Sequence, residues 1–216
     1  MKKIALALMT AAGLVYATTV FADDEGWYVF GALGQPTGNS DQSTLDNALT
    51  SVGAIGFSSS LSTPTLYNLD VGYQVNKYFA VEGGYLGSTN ENYNAAGGNL
   101  VAPVSASARI TGWTLVAVGI LPLDDQFSFM GLPLPDRFSL LGKIGVAGVK
   151  DSATVSGPHG TASVDGTKND LTYGIGVKYD FNDTTSMRLC LDSYSVGASS
   201  ASSRSSVWTV GVGYKF

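Results

Sequence analysis

Few side chains in this sequence could carry chemistry, and their types narrow what that chemistry is. There is one histidine, His159, and one cysteine, Cys190. A Ser-His-acid hydrolase needs its base held within hydrogen-bond reach of a nucleophile by a third group. His159 lies instead in the run Ser-Gly-Pro-His-Gly-Thr (156–161), which reads as a loop. A metal site needs about four nitrogen, sulfur or oxygen ligands in a set, and one His with one Cys supplies none; Cys190 reads as a small, buried side chain. The glycines show no phosphate-cradling pattern. The sequence therefore reads as a non-enzyme without metal or cofactor. Its distinctive feature is a set of charges inside otherwise apolar segments: Asp70, Glu82 and Asp192 against Lys143, Lys178 and Arg188. Three charges of each sign suit a neutralised interior, where removing one partner of a buried pair costs about 3–5 kcal/mol.

The elements that position these charges are strands. Residues 207–216 read VWTVGVGYKF, with Phe216, Tyr214, Val212, Val210 and Trp208 at alternate positions and Lys215, Gly213, Gly211 and Thr209 between them. That is the two-residue period of a strand, and its length fits the roughly 9–11 tilted residues of a membrane-spanning β-strand. A single strand cannot lie in lipid, because each unpaired backbone group would cost several kcal/mol. Partners that close a ring are required.

The same alternation predicts seven more strands, over 26–34, 65–75, 78–87, 105–121, 138–150, 171–181 and 185–196. In 65–75 the sidedness is unambiguous: Tyr67, Leu69, Val71 and Tyr73 share one face, and Asn68, Asp70 and Gln74 the other. A charge facing lipid is destabilising, so Asp70 is placed inside. The same logic puts Glu82, Lys143, Lys178, Arg188, Cys190 and Asp192 inward. Asp180 also points inward but lies beside a turn and is left to solvent. In 26–34 both faces are apolar, and inside and outside cannot be assigned.

Composition agrees with lipid-facing strands. The chain is 44% hydrophobic and only 13% charged, against about 25% charged in soluble domains. The amino terminus has Lys2 and Lys3, an apolar run over 4–15 and small residues up to Ala22, which reads as a signal peptide over 1–22 with a mature chain over 23–216. The formal net charge of −5 becomes two units more negative once those lysines leave, so nucleic acid is excluded as a partner. One cysteine rules out a disulfide framework.

The segments between strands are long at one end and short at the other, the asymmetry of outer-membrane barrels. Long external loops are expected over about 35–64, 88–104, 151–170 and 197–205, with tight turns at 76–77 and 182–184. Leu45, Ala48, Leu49 and Val52 follow helical spacing, with Ser43 and Asp46 at the helix start; this helix is expected to cap the barrel mouth with its apolar side. The turn between the fourth and fifth strands breaks the pattern: LPLDDQFSFMG (121–131) and LPLPDRFSLLG (132–142) match closely and read as a tandem duplication, which lengthens a loop at little entropic cost.

The stretches GYQVNKYFAVEGGYLG (72–87), GWTLVAVGILPL (112–123), LLGKIGVA (140–147), GIGVKYDF (174–181) and the VGVGYKF end resemble the OmpA-like transmembrane barrel family. The resemblance implies an all-β, eight-stranded antiparallel up-and-down barrel in the outer membrane of the Gram-negative cell envelope, with both mature termini periplasmic. The chain stops at Phe216, so the family's periplasmic peptidoglycan-binding domain, and cell-wall anchoring with it, is not expected. By position, Glu82, Arg188 and Lys143 resemble members of the family's interior charge network; Lys178 stands where the pattern has an acid, and Val118 where it has a lysine. The terminal aromatics Phe216 and Tyr214 resemble the family's C-terminal insertion signal, implying barrel-insertion machinery as a partner beside outer-membrane lipid and lipopolysaccharide.

The expected function is that of a small porin-type barrel with a structural or surface-interaction role and a lumen plugged by charge. Two alternatives stand beside it. One is a gated, low-conductance pore for small solutes; the other is an adhesin that binds a host or surface ligand through its external loops.

Overall fold

Alternating side chains and β-branched or aromatic residues favour extended backbone, and most of the described residues lie in strands. The computed structural model describes residues 25–37, 42–123, 128–129, 132–133, 137–158, 160–196 and 203–216. In chain order the elements are β1 (Gly26–Pro36), α1 (Gln42–Ser51), β2 (Ser58–Leu61), β3 (Leu66–Asn76), β4 (Phe79–Ser88), β5 (Glu91–Ala96) and β6 (Val104–Pro122). They continue with β7 (Ser128–Phe129), β8 (Leu132–Pro133), β9 (Phe138–Gly157), β10 (Gly160–Asp180), β11 (Thr185–Val196) and β12 (Ser203–Lys215). The expected leader over 1–22, His159, residues 124–127, 130–131 and 134–136 of the duplicated turn and residues 197–202 of the last loop lie outside the described residues.

Eight strands form a closed antiparallel ring in the order β1, β3, β4, β6, β9, β10, β11, β12, with β12 pairing back to β1. Closure leaves no edge within the ring, and the register runs from Tyr28 opposite Lys215 to Pro36 opposite Val207. Trp208, Val210, Val212 and Tyr214 point outward, while Val207, Thr209, Gly211 and Gly213 point inward. β1 also takes sides: Tyr28, Phe30 and Ala32 are buried and Trp27 and Leu33 exposed.

The expected loops are more ordered than their composition indicated. Residues 151–170, read as an external loop, form the far half of a β9–β10 hairpin whose register continues from Tyr179 opposite Phe138 to Gly160 opposite Gly157. Thr154, Val155, Thr161 and Val164 favour strand, and Gly160, at φ +127°, supplies the turn. The loops over 35–64 and 88–104 are joined to each other: β2 pairs with β5, and β5 with β6. The reason is an edge. β6 continues past the last residue it shares with β4, leaving 104–108 to pair with β5.

Helix α1 begins close to its expected start, and Asp46 reaches the neighbouring strands. Its carboxylate accepts from Tyr93 Oη (2.6 Å) and Ser59 Oγ (2.9 Å), clamping the helix to β2 and β5. Gln42 Nε2 adds bonds to Ser59 O and Oγ. No helix residue is fully buried, so the apolar side expected to pack on the barrel mouth is covered only in part. The ring's interior holds two apolar layers. One joins Tyr28, Phe30, Ala80, Val118, Ile120 and Leu141; the other, nearer the long-loop end, joins Leu66, Leu86, Val149, Tyr194 and Val207.

Candidate functional site

Between those layers a closed ring leaves little room for water, so any charge inside must find its partner across the lumen. Glu82 projects inward from β4 and is 1% exposed. One carboxylate oxygen, Oε1, accepts from Tyr28 Oη at 2.6 Å and from Arg188 Nη1. Lys143 Nζ stands 3.6 Å from the other, Oε2. In the ring order, β4 lies opposite β11, and β1 opposite β9. Four side chains thus reach the axis from four directions, and the Glu82–Arg188 pair crosses the full bore.

Aromatic rings complete the layer. The Arg188 guanidinium lies 4.8 Å from the Phe30 ring centroid and 5.0 Å from that of Tyr28, and Lys143 Nζ lies 5.8 Å from Phe30. Such faces attract cations, more strongly once water is removed. Tyr28 fits because Gly72 lies directly opposite on β3: a Cβ there would fall 2.3 Å from Tyr28 Cζ. The layer therefore depends on a missing side chain as well as on charges.

Of the six residues expected to share one network, the structure joins Glu82, Arg188 and Lys143. Asp70 and Asp192, each 4% exposed, form no salt bridge among the described residues. They line a void of about 20 Å³ together with Glu82, Lys143, Asn68 and Tyr194. Asp192 accepts from Thr209 Oγ1 at 3.4 Å. The void has the size of one water molecule, and Glu82 Oε2 and Asn68 Oδ1 are buried acceptors without a hydrogen-bond donor.

Lys178 corrects the expectation. Its Nζ pairs at 2.9 Å with Asp180, the acid left to solvent. Residues two apart share a strand face, so the near neighbour on the same strand captures the lysine before the lumen acids can. Both line a vestibule of about 520 Å³ at the short-turn end, walled by Gln74, Arg137 and Thr184 and ending on Tyr28 and Arg188. Tyr28 is the member sequence reading missed, because both faces of its strand are apolar; the glycine across from it is the available signal. Cys190 is buried beside the layer as a free thiol.

Set beside known proteins, residues 4–216 match the model of the outer membrane protein beta-barrel domain. No curated protein matches the sequence. Among solved structures, the attachment invasion locus protein Ail of Yersinia pestis aligns with TM-score 0.50 and 15% identity, covering 90% of this chain and 100% of that one. OprG from Pseudomonas aeruginosa aligns with TM-score 0.44 and 17% identity, covering 89% and 97%. At such identities the likeness to Ail concerns the fold alone.

Proposed function

Because the chain belongs to the outer membrane protein beta-barrel domain family and so sits in the outer membrane, we propose that it is a structural or surface-interacting barrel whose lumen is closed by the Glu82 layer. The observation that carries this reading is the position of Glu82 at the axis, bonded to Tyr28 and Arg188 and paired with Lys143 from three other strands. The upper apolar layer lies on the long-loop side of the Glu82 layer, and the vestibule on the short-turn side ends on Tyr28 and Arg188 of that layer itself. The short-turn end, with both mature termini, is periplasmic, and β2, β5 and the β9–β10 hairpin rise outside the cell. Phe216 and Tyr214 are exposed on the outer wall, their ring centroids 5.4 Å apart, a placement that suits contact with insertion machinery. Membrane lipid and lipopolysaccharide surround the wall.

A second reading, a gated pore, is favoured by one specific feature: the vestibule opens the short-turn end of the lumen and stops on Arg188. Single-channel recording of residues 23–216 in planar bilayers separates the two. A silent wild type that remains silent in Arg188→Ala supports the plug. Small openings that grow in that variant support the gate. The adhesin reading now concerns one joined module, α1 with β2 and β5; loss of cell binding on its removal, with the barrel still folded, would support it.

A further inference from the structure

The vestibule at the short-turn end exists because the inward side chains there are unequal in size. On one side of the bore Ala80, Val118, Ile120 and Leu141 pack into the lower apolar layer. On the other, Ser186 of β11 lies opposite Gly213 of β12, and neither fills the space in front of it. A Cβ on Gly213 would stand 3.0 Å from Ser186 Oγ, so a larger side chain there would grow into the opening. The resulting space of about 520 Å³ falls within the roughly 300–1,000 Å³ of small-molecule sites.

Its charges are uneven. Four cations line it, Arg137, Lys178, Arg188 and Lys215, against two acids, Asp180 and Asp183. Asp180 is held by Lys178 at 2.9 Å, and Asp183 is exposed in the 182–184 turn. Arg137 is exposed at the mouth and donates from Nη1 to the Phe181 carbonyl at 2.6 Å. That acceptor is neutral, so the guanidinium is fixed in place without its charge being cancelled. Behind Arg188 stands Glu82, which is shared with Lys143 and offsets one of those two cations. Asp70 and Asp192 border the small void on the other side of the layer and not the vestibule.

The closed end supplies an unused donor. Arg188 is buried, and its Nε has no hydrogen-bond partner. Ser186, two residues away on the same strand face, sets a buried hydroxyl beside it. The planar guanidinium fork matches the paired oxygens of a carboxylate or a phosphate. A cleft with an excess of one sign and low-dielectric walls also concentrates ions of the opposite sign.

We infer that the vestibule binds a small oxyanion from the periplasmic side, with Arg137 at its mouth and Arg188 and Ser186 at its floor. The recognised chemistry is the one that carboxylates and phosphates share. This goes beyond the plug and gate readings, because an anion reaches the floor without passing the Glu82 layer.

The test is a titration of folded residues 23–216 in nonionic polyoxyethylene micelles at fixed ionic strength, followed by backbone amide NMR shifts, which read affinity and place together. The probes are inorganic phosphate, citrate and, as an uncharged control, glucose. Phosphate or citrate shifts Thr184, Ser186 and Gly213 saturably, and glucose does not. A response to phosphate alone assigns a phosphoryl ligand, and a response to citrate alone a carboxylate; either supports the site. Arg137→Gln weakens binding about tenfold, the scale of one charged hydrogen bond. Asp183→Asn strengthens it about two- to threefold, the scale of an exposed charge. Both positions are exposed, so the layer behind them stays intact, and the heat-dependent gel shift checks that each variant is folded. No saturable response to phosphate or citrate, shifts centred on the outer wall, or an equal response to glucose overturns the inference. So does an unchanged affinity in Arg137→Gln, or a change of the opposite sign in either variant.

Discussion

Glu82 and Asp46 make the same contact and live in different worlds. Each accepts a tyrosine hydroxyl at 2.6 Å, Tyr28 in one case and Tyr93 in the other. Around Glu82 the remaining partners are cations, Arg188 and Lys143; around Asp46 they are hydroxyls, with Ser59 Oγ at 2.9 Å. The difference follows from enclosure. Glu82 sits in a closed ring where a carboxylate without a counter-charge would be very costly. Asp46 is half-buried at the open end, where water shares its solvation and two hydroxyl donors suffice. The same side-chain chemistry thus joins strands across a lumen in one place and fastens a helix in the other.

That comparison breaks most sharply at Arg188. Arg188→Ala leaves Glu82 with Lys143 as its one cation beside the Tyr28 hydroxyl and is expected to lower unfolding stability by about 3–5 kcal/mol, measured as a denaturant midpoint in vesicles. Replacing both partners, Arg188→Met with Glu82→Leu, is expected to recover part of that loss, because the apolar pair removes the stranded carboxylate but leaves Lys143 without its acid. If the double variant is as unstable as the single one, the pair is not the dominant contact.

Gly72→Ala tests the missing side chain and should cost about 1–3 kcal/mol. Its added methyl displaces the Tyr28 ring, so combining it with Tyr28→Ala should abolish most of the effect. Equal costs in the two backgrounds would refute the steric link.

At the other carboxylate, Asp46→Ala removes two hydrogen bonds and should cost about 1–3 kcal/mol locally. The expected readout is faster proteolysis within 42–61 with the barrel's gel shift unchanged. The Tyr93 hydroxyl is pushed up from 10.0 to about 12, by burial first and by the Asp46 hydrogen bond and charge next. A raised tyrosine pKa means that the folded clamp holds the neutral phenol. Its contribution is complete below pH 10 and is lost as pH rises through about 12. Protease sensitivity of the clamp should therefore rise across that window, and a flat profile would exclude Tyr93 as its titrating group.

The smallest effect belongs to the rim. Lys178 and Asp180 are paired at 2.9 Å beside solvent, with side chains 14% and 35% exposed. Asp180→Asn should change stability by less than about 1 kcal/mol. A cost as large as that of Arg188→Ala would place this pair with the lumen layer instead.

Much of this was legible from residue order. Alternation around Asp70, Glu82, Arg188 and Asp192 placed each inside, and the last strand's aromatics faced outward as read. What alternation could not rank was partnership. Lys178 counted as a lumen base until Asp180, two residues away, took it; Asp70 and Asp192 counted as ion-pair members, yet they line a void. β2, β5 and the upper hairpin were hidden by polar composition, since serine and threonine mark both loops and solvated strands.

For the strands that carry an inward charge, the sequence by itself determined which face points in and which out, because a two-residue period needs no knowledge of neighbours, while β1, apolar on both faces, stayed unassigned. Only the tertiary structure decided which charge meets which. Glu82 and Arg188 are 106 residues apart, and ring closure sets their strands on opposite sides of one narrow bore. There geometry, and not sequence distance, selects the partner.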